Sequence, residues 1–247
     1  MRCLSVKIEI WSDYVCPFCY IGKRRLENAI ENFEHKDNIV IQYKSYELDP
    51  NAEQSPDVTI HELLAKKYKI SVDKAKQMNE NIRLQAAEIG LKYDFDSMQH
   101  TNTFDAHRVA KLAAKEGKGK EMTERLLTAY FTEGQLISDH ETLRKLANEV
   151  GVGAEKVNAV LESRKFSSHV RDDEDQAMQI GVQGVPFFVF NETYALSGAQ
   201  PFDVFTEVLE KVWEEEHKNP VLKSLTPKNS ETSYCTDEGC KIDKGWS

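Results

Sequence analysis

The stretch Val6-Lys7-Ile8-Glu9-Ile10-Trp11-Ser12-Asp13-Tyr14-Val15-Cys16-Pro17-Phe18-Cys19-Tyr20 decides how this chain is read. Its opening alternates apolar and polar side chains and is rich in β-formers, which predicts a strand over 6–12. Two cysteines separated by two residues follow at once. From Ile21 onward the apolar residues fall at helical spacing (Ile21, Leu26, Ala29, Ile30, Phe33), which predicts a helix reaching residue 33. Pro17 suits the first turn of that helix, where its missing N–H costs nothing. A second β-rich run over 39–46, Ile-Val-Ile-Gln-Tyr-Lys-Ser-Tyr, predicts another strand. Strand, helix and strand together make a βαβ unit of the usual ~30 or more residues.

Beyond this unit the pattern changes. Asp49-Pro50-Asn51 through Ser55-Pro56-Asp57 is a polar, proline-punctuated boundary. Helical spacing then predicts helices over 59–68, 71–90, 103–116, 119–132, 139–150, 154–163 and 167–180. Ser71, Thr103 and Ser138 (the last with Glu141 at capping-box spacing) are the expected N-caps. Gly90, Gly117, Gly134 and Gly151 stand where helices should stop. Strand character returns with Phe187-Phe188-Val189-Phe190 and Tyr194-Ala195-Leu196-Ser197, joined by a turn at Asn191-Glu192, and a helix over 202–217 follows. The expected fold is therefore α/β: a small sheet domain from 1–50 and 181–217, split by an all-helical insertion over 51–180, with a polar tail over 218–247.

Bulk properties narrow the function. The chain has 247 residues, is 40% hydrophobic and carries a net charge of −9, which argues against a general nucleic-acid binder. No stretch has the apolar length of a membrane span. The N-terminal run has no apolar segment of the signal-peptide kind, so a cytoplasmic, reducing location is expected. There, five cysteines would not serve as a structural disulfide framework. Their spacing is the informative feature.

A Cys-x-x-Cys between a strand and a helix has a physical reason to exist. The first cysteine sits at the helix start, where unpaired N–H groups and the macrodipole stabilise a thiolate. That thiolate attacks a disulfide, and the second cysteine, one turn on, resolves the mixed disulfide. Cys16 is thus the candidate nucleophile and Cys19 the resolver. Asp13, three residues earlier, is a candidate for proton transfer to or from Cys19; the plainer reading is a strand-end residue that turns the chain. Pro17 and Phe18 occupy the positions that tune the pair and border a substrate. Phe18 neither donates a hydrogen bond nor brings charge, so a less oxidising couple is expected than with a histidine there.

Cys16-Pro17-Phe18-Cys19 after Trp11-Ser12-Asp13, with a helical block before Gly184-Val185-Pro186, resembles the DsbA-like branch of the thioredoxin superfamily. Tyr20-Ile21-Gly22-Lys23 and Asn102-Thr103-x-x-Ala106-His107-Arg108 bring it nearest the FrnE subgroup, over roughly residues 5–217. The resemblance implies a thioredoxin-like fold and a dithiol–disulfide oxidoreductase or isomerase acting on protein or small-molecule disulfides. It implies a cis Val185–Pro186 bond beside the cysteines, with the Val185 backbone pairing with an extended substrate and Pro186 keeping metals off the thiols. It implies that the helix of His107 faces the active site, so that His107 lines a substrate cleft; the plainer reading of His107 is a satisfied helix residue. Trp11 reads either as core or as a cleft wall.

Cys235-Thr-Asp-Glu-Gly-Cys240 is a second pair, in the tail. The resemblance supports an auxiliary redox role for it. Two other readings stay open: thiols without a role, and, together with Cys16 and Cys19, the four thiolates of a structural zinc site. Cys3 reads as a small residue near the first strand. No cofactor is expected, though glutathione stands as a candidate substrate or reductant. The rival functions are a glutathione-dependent isomerase or transferase of the kappa-class or 2-hydroxychromene-2-carboxylate isomerase type, in which serine typically replaces the first cysteine, and a non-enzymatic zinc module.

Overall fold

The computed structural model describes residues 5–53 and 58–217 together with the backbone of 232–236 and 239–243. Strand β1 (Val6–Ser12) leads through a tight loop into helix α1 (Pro17–Glu31) and, after a short 3-10 turn, into β2 (Ile39–Ser45). Seven helices follow: α2 (Ile60–Tyr68), α3 (Val72–Glu88), α4 (Phe104–Lys115), α5 (Gly119–Phe131), α6 (His140–Glu149), α7 (Ala154–Leu161) and α8 (Ser167–Gln179). The chain then returns to the sheet as β3 (Phe187–Phe190) and β4 (Tyr194–Ser197), and α9 (Phe202–His217) completes this unit.

The sheet order is β2-β1-β3-β4. β1 and β2 are parallel in register Val6↔Ile39 to Ser12↔Ser45, while β3 runs antiparallel to β1 and to β4. The parallel pair requires a crossover, which α1 provides. Between β3 and β4, Asn191 and Glu192 both take positive φ, 45° and 55°. That is the paired left-handed turn that suits the twist of a hairpin. Asn191 secures it by bonding Lys7 twice, accepting from its N–H through Oδ1 (2.7 Å) and donating to its carbonyl (2.9 Å).

β1 presents Val6, Ile8 and Ile10 to one face, where they pack with Phe188, Phe190, Leu26 of α1 and Phe205, Leu209 and Val212 of α9. Burial of each such side chain contributes ~1.5–3 kcal/mol. On the opposite face, α8 packs over the sheet at Trp11. Trp11 donates from Nε1 to the Asp173 carbonyl at 2.8 Å, and Ser45 N–H reaches the Asp173 carboxylate at 2.7 Å. Lys44 lies 3.4 Å from both Glu9 and Asp173, and Lys111 of α4 bonds the same Asp173 carboxylate. Charges on this sheet face are thus buried but compensated.

Two expected caps are displaced. Thr103 makes no side-chain cap; Asn102 Oδ1 accepts from Phe104 N–H instead, at 2.9 Å. At α6 the cap is Asp139, which accepts from Thr142 N–H at 2.7 Å, rather than Ser138. Ser71 caps α3 as the spacing predicts. Where the sequence reads as a polar tail, β5 (Thr232–Thr236) and β6 (Gly239–Asp243) pair antiparallel as a separate unit, with Cys235 opposite Cys240 in register.

Candidate active site

Cys16 is the N-cap of α1, in extended conformation, and Pro17 is the first helical residue. The loop before it closes through Cys16 N–H to the Asp13 carbonyl (3.2 Å), and Cys19 N–H donates to the Cys16 carbonyl (3.0 Å). Both thiols are free; Cys16 is 5% exposed and Cys19 2%. The Cys16 thiol donates to the Val185 carbonyl at 3.5 Å. The Val185–Pro186 bond is cis, as the resemblance implies, and the Pro186 carbonyl accepts from Gly198 N–H at 2.8 Å. Thus the N-terminal and C-terminal halves of the sheet domain meet at the nucleophile.

Burial pushes the Cys19 thiol well above its usual pKa, and the neighbouring Cys16 adds to the rise; Ser12 and the Asp13 backbone oppose it more weakly. At neutral pH Cys19 therefore holds its proton. Tyr93, which sequence reasoning did not single out, donates to the Pro17 carbonyl at 2.7 Å and anchors the first turn of α1. Its hydroxyl is also pushed up, first by burial and then by Cys16. No periodicity could have revealed it, since it stands in the connection between α3 and α4.

Asp13 is buried, with Oδ2 accepting from Leu48 N–H at 2.8 Å and Oδ1 3.4 Å from His107 Nε2. Neither Asp13 Oδ1 nor His107 Nε2 has a hydrogen bond among the described residues. His107 stands on α4 with its ring 4.7 Å from that of Tyr14. It lies behind the cysteine loop and does not line the cleft. Its neighbour Arg108 bonds the carbonyls of Val160, Ser163 and Lys165, closing the C-terminal end of α7. Trp11 belongs to the core between the sheet and α8, edge-on to Phe187, and forms no cleft wall.

The cleft itself comes from elsewhere. A cavity of about 1060 Å³ opens at Cys16, Pro17 and Phe18. Its far walls are α2 and α3, and residues of the 95–103 connection and the end of α5 form its floor. Asp13 touches it too. Cys235 and Cys240 have no described side chains, and Cys3 lies outside the described residues. Among the described residues no group of three or more His, Cys, Asp or Glu side chains is placed to hold a metal.

Gly22 of α1 faces this loop: a Cβ there would stand 3.1 Å from both Pro186 Cγ and Phe188 Cζ and 3.4 Å from Ala199 Cα. Gly22→Val is therefore expected to destabilise the fold by about 2 kcal/mol through overpacking. A lowered Tm measures this, whereas an unchanged Tm would mean that the Pro186 loop yields freely.

A model of the DSBA-like thioredoxin domain matches residues 7–210. The protein YwbO of Bacillus subtilis (strain 168), described as uncharacterized, is 31% identical over 208 residues, which are 83% of this chain and 96% of YwbO. A probable DsbA oxidoreductase from Streptomyces coelicolor superposes with a TM-score of 0.82 at 35% identity, covering 96% of this chain and 99% of its own. The cytosolic disulfide reductase DsbM from Pseudomonas aeruginosa, solved with GSH, shares the fold with a TM-score of 0.59 at 18% identity, over 84% of this chain and 99% of its own. The family match runs through every element that builds the cysteine site, and the chain belongs to the DSBA-like thioredoxin domain family.

Proposed function

We propose that this chain is a dithiol–disulfide oxidoreductase or isomerase of the FrnE type. The observation that carries this reading is the Cys16–Cys19 pair at the start of α1, with Cys16 against the Val185 carbonyl. The Cys16 thiolate breaks a substrate S–S bond, forms a mixed disulfide and expels one substrate thiolate. Cys19 then gives up its proton, attacks Cys16 Sγ and releases the second substrate thiol, leaving Cys16–Cys19 oxidised. In this reading the Val185 backbone receives an extended substrate segment and Pro186 shields the thiols from metals. Return of the mixed disulfide to another substrate thiol gives isomerisation.

The raised Cys19 pKa supports this division of labour, because the resolving thiol needs help to ionise. Asp13 is the base we assign to that step, backed by its buried contact with His107. Asp13→Asn is expected to slow release of the second thiol roughly a hundredfold. Stopped-flow measurement should find formation of the mixed disulfide nearly unchanged; equal slowing of both steps would mark a structural effect.

The name of the DsbM relative supports a cytoplasmic setting and glutathione as a candidate reductant. No bound cofactor is required, since the dithiol itself carries the two electrons. Cys235 and Cys240 would serve as a second redox pair, a role favoured by their cross-strand register. The test of the reading is a titration of reduced protein with one equivalent of a disulfide. Peptide mass mapping should show a Cys16–Cys19 disulfide and loss of two thiols; Cys16 and Cys19 both left as thiols would reject it.

A further inference from the structure

We infer that the cavity beside Cys16 selects small disulfides that combine an apolar body with a carboxylate, an inference that rests on the oxidoreductase reading above. Several large apolar side chains that the fold leaves open to solvent converge there: Phe18, Leu48, Tyr68 and Met78 all line this one cavity. Exposed apolar surface gathered at one concave place marks a binding site rather than chance. Its volume of about 1060 Å³ is at the upper end of small-molecule sites. With Cys16 only 5% exposed, a small disulfide reaches it more readily than one held on a folded protein surface.

Charge at the mouth supplies the second half of the argument. Lys66 and Lys67, in the last turn of α2, line the cavity and have no ion pair among the described residues. Of the two acids that also line it, Asp13 is buried and accepts from Leu48 N–H, and Asp49 lies 3.5 Å from the His100 imidazole. Lys66 and Lys67 thus place two ammonium groups without an ion-pair partner among the described residues on the lining, in a chain whose net charge is −9. A local basic rim on an acidic protein favours an anion only where it reaches that rim. An aromatic or branched body would rest against Phe18 and Met78 with its carboxylate at Lys66 and Lys67 and its sulfur at Cys16. The two electrons come from the Cys16–Cys19 dithiol, so no other reductant enters the single turnover.

The test compares 5,5′-dithiobis(2-nitrobenzoate), an aromatic disulfide with two carboxylates, with uncharged 4,4′-dithiodipyridine, using pre-reduced full-length protein. For the double variant K66E/K67E, the single-turnover kcat/KM for the anionic disulfide is expected to fall on the order of tenfold. The rate for the uncharged one should stay within about twofold. K115E/K145E, which makes the same change in charge at exposed positions outside the cavity, should alter neither, and circular dichroism should show all variants folded. Raised salt should slow only the wild-type reaction with the anion. Equal rates of the anionic disulfide with wild type and K66E/K67E, or equal losses in both double variants, would overturn the inference while leaving the oxidoreductase reading intact. Loss with both disulfides in K66E/K67E alone would likewise reject charge selection. Failure of wild type to react with either disulfide would instead remove the oxidoreductase reading itself.

Discussion

Cys19→Ala is expected to stop turnover and leave the protein as a mixed disulfide through Cys16. The reasoning is geometric. Cys19 lies one turn after Cys16 and is held there by its N–H bond to the Cys16 carbonyl at 3.0 Å. An intramolecular thiol in that position works at an effective concentration that external thiols do not reach. Its removal should lower the steady-state rate by roughly two orders of magnitude or more. The burial that raises the Cys19 pKa also keeps external thiols from the bond, which stabilises the trapped species. Mass spectrometry of Cys19→Ala after exposure to a disulfide should show one adduct, mapped to Cys16. Undiminished turnover would mean that Cys19 does not resolve.

The second large effect is on stability. Asp173 on α8 accepts from Ser45 N–H, bonds Lys111 and lies 3.4 Å from Lys44, while its carbonyl accepts from Trp11 Nε1. Burial already pulls the Lys111 pKa down, and Asp173 is the group that opposes this. Asp173→Ala would leave the buried Lys44 and the partly buried Lys111 without this partner, with one counter-charge, Glu9, beside Lys44. Breaking a buried pair in this way costs ~3–5 kcal/mol. Urea unfolding should show a loss of that size, whereas Asp172→Ala, on the exposed side of the same helix, should stay within about 0.5 kcal/mol. A loss below about 1 kcal/mol for Asp173→Ala would mean that the lysines escape to water.

These two cases also show what could be read from the chain before its fold was seen. The cysteine pair was legible because its signal is local: a strand pattern, a proline at the first helical position and two thiols one turn apart. The helices were legible because each has its own apolar stripe and a glycine or polar stop. Asp173 was not singled out, although a signal existed. In the acidic run 172–175 it is the residue spaced three from Val170 and four from Ala177, both buried on the same stripe. Motif context suggests His107 as a cleft residue and leaves Trp11 open between core and cleft wall, yet both are buried, because which helix covers which sheet face is a tertiary matter that spacing does not encode. For the same reason the cleft walls were missed. Lys66, Lys67 and Met78 lie some fifty residues or more from Cys16 in sequence, and only the packing of α2 and α3 beside α1 brings them to it. The cap at Asp139 was misassigned by one residue, as happens when two adjacent residues can both accept.

The central claim is that Cys16 is the nucleophile of a disulfide-exchanging site. Its most direct test is reduction of insulin disulfides with dithiothreitol, comparing wild type with Cys16→Ser. The account predicts catalysed reduction by wild type and only the uncatalysed rate with Cys16→Ser. Wild-type activity retained in Cys16→Ser would contradict it.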